Sequence, residues 1–346
     1  MAGMASGDIA RFVAALPKVE LHVHLVGSAS AATVLELAAR HPDGPVPTTA
    51  AGLAAFYRYR DFAHFAEVYT AVSSLVRDQE DVASLVLGVA RDLAAQNVRH
   101  VELTVTPYSQ VLVGIPMHAV TEALDVSARE ARDRYGIGIA YIFDIAAVQG
   151  AEGARATLEH ALEHPPERLV GFGLGGDERR RVPHFAAIRD AFRAATAAGL
   201  HSVPHAGEMG GPEVIWQALG ELRAERIGHG IGCVRDPALV AHLREARIPL
   251  EVCPTSNVRT GQVPAIEHHP FPRMLADGLV VTVNSDDPPM FGTTLTDEYL
   301  TLARVFGLGP GELAELARNA VRAAFLPAPE KAALLAEIDA LVAGPW

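Results

Sequence analysis

Four short clusters of histidine and carboxylate residues, spread along a chain of 346 residues, carry the side chains that bind metals and move protons. They are His22-Val23-His24, His205-Ala206-Gly207-Glu208, Gly228-His229-Gly230 and Asn284-Ser285-Asp286-Asp287-Pro288. Side chains two apart on a strand face the same side, so His22 and His24 can aim both imidazoles at one point. With His205 and the carboxylate of Asp286 they make a nitrogen and oxygen donor set suited to one Zn²⁺ ion, with a position left open for water. Such an ion lowers the pKa of its water from about 15.7 in bulk towards about 7, which supplies a nucleophile at neutral pH. Taken singly, each residue has a plainer reading: a packed histidine pair, a helix cap at Glu208 or Asp287, a core histidine at His229, a turn at Asp286. Chemistry is favoured because all of them stand where strands are expected to end.

Those strand ends belong to a repeated pattern. Eight short apolar, β-branched runs alternate with longer amphipathic stretches: Val19–Leu25, His100–Val105, Ile137–Asp144, Leu169–Leu174, His201–His205, Arg226–His229, Ile248–Cys253 and Leu279–Asn284. Apolar residues at helical spacing predict helices over Asp81–Ala95, His118–Tyr135, Glu152–Glu163, Phe185–Ala198, Pro212–Arg223 and Pro237–Ala246. Strand and helix units in this number predict a TIM (β/α)8 barrel, whose active sites lie at the C-terminal ends of the strands, so the four clusters should meet at one mouth. An open doubly wound sheet would need a glycine fingerprint and a switch point, and neither is found. Two more helices, Gly311–Phe325 and Pro329–Val342, are predicted outside the barrel. The stretch Pro42–Arg77 is longer than a strand-to-helix connection needs and holds Phe56, Tyr57, Tyr59, Phe62, Phe65 and Tyr69; it is predicted to form a lid after the first strand. No low-complexity linker or fixed repeat divides the chain, so residues 1–346 are expected to form a single domain.

Composition narrows the partners. At 49% hydrophobic and 20% charged residues, the chain is that of a soluble globular protein with a large core. Its 41 acidic against 29 basic side chains leave a net charge of −12, a field that repels phosphate backbones and anionic lipid. A small molecule is therefore the expected partner, with no nucleic acid and no membrane. Cys233 and Cys253 are too few for a disulfide framework or a cysteine zinc site and fit a reducing, cytoplasmic setting. The first residues lack the charged and apolar regions of a signal peptide, and no apolar run approaches the ~18 residues of a membrane span.

Six segments together carry a family resemblance. Pro17-Lys18-Val19-Glu20-Leu21-His22-Val23-His24, Gly175-Gly176-Asp177-Glu178, His205-Ala206-Gly207-Glu208, Arg226-Ile227-Gly228-His229-Gly230, Cys253-Pro254-Thr255-Ser256-Asn257 and Asn284-Ser285-Asp286-Asp287-Pro288 resemble the ordered motifs of the adenosine deaminase family, within the amidohydrolase superfamily. The resemblance implies a zinc-bearing barrel that hydrolyses the 6-amino group of a purine and releases ammonia. Carried over by matching motif, it implies His22, His24, His205 and Asp286 as ligands of one zinc ion per chain. It also implies Glu208 as the acid that protonates ring N1, His229 as the group that orients the attacking oxygen, Asp287 as a hydrogen-bond partner of N7, and the backbone N–H of Gly176 as a donor to N3. A neutral carboxylic acid suits N1 because attack at C6 pushes electron density there, and burial keeps such an acid neutral. The other zinc deaminase signature, His-X-Glu followed by Pro-Cys-X-X-Cys, is absent.

One position departs from the family pattern. Adenosine deaminases resemble one another in an acidic residue where this chain has Val26, and that carboxylate binds the ribose 5′-hydroxyl. An isopropyl group accepts no hydrogen bond, so an unsatisfied hydroxyl costs about 1–3 kcal/mol, or roughly 10- to 100-fold against adenosine. A 5′-modified adenine nucleoside escapes that cost. The sequence resembles the subgroup that deaminates aminodeoxyfutalosine, in which an adenine nucleoside is joined through its 5′ side to a carboxyphenyl ketone on the futalosine route to menaquinone. The aromatic segment Phe56–Tyr69 is then expected to shelter the phenyl ring, and Arg58, Arg60 or one of Arg179–Arg181 to meet its carboxylate. Adenosine or adenine deamination is the alternative inside the family. More distant ones are a hydrolase of esters or lactones, whose usual metal-bridging lysine is missing from Gly173-Leu174-Gly175-Gly176, and a purine-binding barrel without turnover.

Overall fold

All eight predicted runs are strands in the computed structural model, which describes residues 6–344: β1 (Lys18–His24), β2 (Val98–Val105), β3 (Gly138–Ala146), β4 (Leu169–Gly175), β5 (His201–Ala206), β6 (Ile227–His229), β7 (Leu250–Val252) and β8 (Val281–Val283). They pair in chain order, each parallel to the next. Closure between the last strand and the first is made at the mouth by residues of the first and last histidine and carboxylate clusters. The Asp286 N–H donates to the His22 carbonyl at 2.9 Å, and the His24 N–H donates to the Asp286 carbonyl at 3.1 Å. One layer deeper, a side chain replaces a ladder bond: Asn284 Oδ1 accepts the Leu21 N–H at 3.1 Å while its amide nitrogen donates to Thr282 Oγ1.

β6, β7 and β8 have three residues each, fewer than their runs predict. Chain geometry accounts for the early stop at β6, where His229 turns into the left-handed region at φ 60°. After β7, Pro254 has no N–H to offer a ladder and opens a helix instead. On β1 the register with β2 slips between Glu20 and Val23, a bulge of the kind that re-aims side chains beside active sites.

The predicted helices are present with shifts of a few residues at their ends: Gln79–Ala94, Met117–Tyr135, Gly150–Glu163, Phe185–Ala197, Pro212–Glu221 and Pro237–Ala246, then Pro310–Ala323 and Ala328–Ala343 after the barrel. Pro310–Ala323 packs against β1 and β8, so it braces the closing seam from outside. The predicted lid segment forms two helices, Ala50–Phe56 and Phe62–Ser73, capped by Thr49 and Asp61 side chains that accept from backbone N–H groups. Its rings reach the β8 loop: Phe65 lies 4.9 Å from Phe291, and Tyr59 lies 5.3 Å from Phe65. Among the described residues no helix is long and apolar enough to cross a membrane.

Below the mouth, the barrel holds charge instead of an all-apolar filling. Arg226, fully buried, donates from Nε to Glu251 Oε1 and from Nη2 to Glu102 Oε2, both at 2.6 Å, and from Nη1 to the Ala323 carbonyl at 2.9 Å. Its guanidinium carbon stands 4.0 Å from the centre of the Phe325 ring. One cation thus ties β2, β6 and β7 to the C-terminal helices. Removing it would leave two buried carboxylates without their cation, so Arg226→Ala is expected to cost about 3–5 kcal/mol of stability. Urea unfolding of the variant should show the midpoint falling by that equivalent; an unchanged midpoint would count against the bracing role.

Candidate active site

His22 and His24 flank Val23 on β1, His205 lies near the end of β5, and Asp286 follows β8, so β1, β5 and the β8 loop deliver the four donors expected from the sequence to one place. His24 Nε2 is 3.3 Å from His205 Nε2 and 3.3 Å from Asp286 Oδ1, and His22 Nε2 is 3.8 Å from the same oxygen. Ligand atoms of His22, His24 and His205 all lie within 4.8 Å of one another, as do those of His22, His229 and Asp286. Burial, reinforced by neighbouring imidazoles, holds His22 and His205 well below the usual histidine range, so both rings are neutral. The Nε2 of His22 is buried with no hydrogen-bond partner among the described residues. Neutral imidazole nitrogens and a carboxylate oxygen facing one another in this way fit a divalent cation.

Partners behind the donors hold their orientation. Nδ1 of His22 is 2.9 Å from Glu251 Oε2, which places the ring proton on Nδ1 and leaves the Nε2 lone pair for a metal. Ser256 Oγ donates to Asp286 Oδ2 at 2.6 Å, which turns Oδ1 towards the imidazoles. Asp286 itself sits at φ 63°, a left-handed conformation that a non-glycine residue adopts only when the surroundings impose it.

Glu208 lies beyond Gly207, whose φ of 72° turns the chain off β5. Its Oε2 is 3.7 Å from His229 Nε2, and Thr260 Oγ1 is 3.5 Å from its Oε1. Burial, with Asp286 and Glu178 adding, pushes the Glu208 carboxyl well above the usual range, which favours its protonated form. Burial likewise lowers His229 to about 4, which keeps its imidazole uncharged. Asp287 is raised well above the usual range by burial and then by Asp286, and its Oδ1 is buried without a partner among the described residues. Gly176 follows β4 at φ 84°; a Cβ there would meet nothing nearer than the Ala147 nitrogen at 3.6 Å, so backbone conformation, not crowding by protein, calls for glycine.

A signature of the adenosine deaminase family matches residues 17–341. The chain belongs to the adenosine deaminase family. Among members of this family, an aminodeoxyfutalosine deaminase from Streptomyces avermitilis is 51% identical over 338 residues, covering 97% of this chain and 94% of the relative. An adenine deaminase from Arthrobacter aurescens superposes with a TM-score of 0.90 at 30% identity, covering 95% of this chain and all of that one. An amidohydrolase from Burkholderia ambifaria with bound zinc superposes with a TM-score of 0.88 at 29% identity, covering 99% of this chain and 95% of that one. Membership of the adenosine deaminase family makes the chain a hydrolytic deaminase, and the histidine cluster agrees with that family's dependence on a metal.

Several residues that shape the site were not singled out in the sequence. Glu251 was legible only as a lone acid inside an apolar run. Ser256 and Asn257 stand in a motif whose resemblance implies no role for them. The proposed arginines fare unevenly. Arg181 is buried, donating to the His205 carbonyl at 2.8 Å with Glu178 3.7 Å away, and is committed to protein partners, whereas Arg179 is exposed and makes a surface pair with Asp177 at 2.8 Å. Arg58, Arg60 and Arg180 are exposed. Gly27 has no sequence signal of its own, yet a Cβ at that position would overlap the Asp287 carboxylate. Gly27→Ala is therefore expected to displace Asp287 and lower turnover about 100-fold, the order of loss that small misplacements of positioned groups produce. Steady-state deamination assays on the folded variant check this, and wild-type turnover would mean that the loop yields instead.

Proposed function

We propose that the chain deaminates aminodeoxyfutalosine to futalosine and ammonia on the menaquinone route, in the cytoplasm, with residues 1–346 working as one barrel domain. The observation that carries this choice of substrate is Val26. It is buried immediately after the histidine pair, where an adenosine-specific site has a carboxylate. Val26 lines a recess with Leu25, Tyr69, Ser73, Ser109 and Gln110, and the Gln110 Oε1 is buried with no partner among the described residues. The 51% identity to a relative of that name supports the same substrate.

In this reading His22, His24, His205 and Asp286 hold one zinc ion, which when bound acts as a Lewis acid that activates water at neutral pH. The chain's own groups do the rest. Asp287, protonated, donates to N7, and the Gly176 N–H donates to N3, so the purine is gripped on both rings. Glu208 gives its proton to N1 as oxygen adds at C6, which relieves the charge that the addition would otherwise leave on the ring. His229, neutral and fixed, orients the incoming oxygen. The amino group then departs as ammonia, taking the proton of the added hydroxyl as the C6–N bond is replaced by C6=O, and the other proton of the water restores the Glu208 acid.

Ammonia release measured across adenine, adenosine and aminodeoxyfutalosine, with metal content taken on the same sample, tests this proposal. The highest kcat/KM is expected for aminodeoxyfutalosine at about one zinc per chain; equal or higher values for adenosine or adenine would defeat the substrate assignment. Because Glu208 must be protonated and its pKa is raised, activity should fall as pH rises through that raised value. Glu208→Gln should abolish turnover with metal retained.

Val26→Asp provides a separate check. It should shift the ratio of kcat/KM values towards adenosine by roughly 10- to 100-fold, and an unmoved ratio would remove Val26 from the argument about specificity.

A further inference from the structure

His229 faces the reacting atoms, but what it can do there depends on which of its nitrogens carries the proton. A chain of three hydrogen bonds behind the ring answers that question. The Phe271 backbone N–H, which can only donate, points at His269 Nδ1 at 3.1 Å. That nitrogen must therefore offer a lone pair, and the single proton of the neutral ring sits on Nε2. His269 is indeed pushed down to about 3 by burial. The His269 Nε2–H lies 3.1 Å from the Asn257 side-chain oxygen, which accepts it. The Asn257 amide nitrogen is then the atom 3.1 Å from His229 Nδ1, and it donates there. A reversed Asn257 amide would set N–H against N–H at His269. His229, Asn257 and His269 are all at 3% exposure or less, so water cannot replace a lost partner.

We infer that His269 and Asn257 are positioning residues that lock His229 in its Nε2–H tautomer, so that His229 presents a hydrogen-bond donor, not a base, to the oxygen adding at C6. The direction runs from a backbone amide on the β7-to-β8 connection, through the helix Pro254–Arg259, to the residue at the end of β6. Nε2 of His229 is 3.7 Å from Glu208 Oε2 and 3.9 Å from Asp286 Oδ2, so the proton set by the relay enters the space between the acid and the carboxylate. A donor there stabilises negative charge developing on the added oxygen. Catalysis by His229 in this form needs no proton transfer to its Nε2, which is already occupied. Its φ of 60° is explained in the same way: the left-handed turn at the end of β6 lets Nδ1 face Asn257 while Nε2 faces the mouth.

The role of His229 rests on the deaminase reading, whereas the tautomer does not, so the two can fail separately. Histidine ¹⁵N–¹H NMR on the full-length, metal-loaded protein should place the His229 proton on Nε2. His269→Leu should spread it over both nitrogens and lower kcat about 10- to 100-fold with KM unchanged. His269→Gln, which can still donate to Asn257, should restore both the spectrum and kcat. Should the leucine variant not fold, Asn257→Asp makes the same comparison, because a carboxylate accepts from both rings and moves the His229 proton to Nδ1. A wild-type Nδ1–H signal, a tautomer indifferent to His269→Leu or Asn257→Asp, or glutamine behaving like leucine would overturn the inference.

Discussion

Two backbone hydrogen bonds hold the chemistry of this protein together. They join Asp286 to His22 and His24, and in doing so close the barrel and bring three of the four candidate metal donors together in one act. The first and last strands are separated by most of the chain, so bringing them into register costs loop-closure entropy that seven sequential parallel pairings repay cooperatively. Once the seam is formed, the carboxylate of Asp286 has little freedom left. Ser256 takes one oxygen, and the left-handed backbone directs the other at the imidazoles. Folding and site assembly are thus the same event at this edge of the barrel.

The interior beneath the mouth extends that constraint. Glu251 has one oxygen on His22 and the other on Arg226, and Arg226 continues to Glu102 and the C-terminal segment. A buried ion-paired network of this kind is a poor source of stability compared with a packed apolar core, but it fixes geometry. Here it sets the tautomer of a donor histidine from behind. The relay through His269 and Asn257 does the corresponding work for His229, with neutral groups in place of charged ones. Two imidazoles a few ångströms apart are therefore held in opposite tautomers, His22 with its proton turned away from the site and His229 with its proton turned into it. The difference arises entirely from which partner stands behind each ring.

Substrate choice belongs to a separate layer. The aromatic helices after β1 pack on Phe291, which follows Asp287, so the segment expected to form a lid touches the loop that carries Asp287. Val26 faces the recess at the base of that cover. Changes in this layer can alter the nucleoside accepted without disturbing the metal donors or the acid, which helps to account for a family whose members differ in substrate while sharing one barrel.

Much of this was legible in the residue order. Eight alternations of strand and helix periodicity determined the barrel, because a parallel strand buried on both faces reads as an apolar run. Histidines and carboxylates at the run ends determined the candidate site, because those ends share one face of the barrel. Val26 was visible as a missing acceptor. What the tertiary structure alone decided were the contacts between segments distant in sequence: Glu251 behind His22, Gly27 against Asp287, the commitment of Arg181 to the His205 carbonyl, and the three bonds from Phe271 to His229. Periodicity and motif spacing report which face a side chain takes. They carry no information on which atom of a neighbouring element it will meet, and the proton positions in this site depend on those atoms.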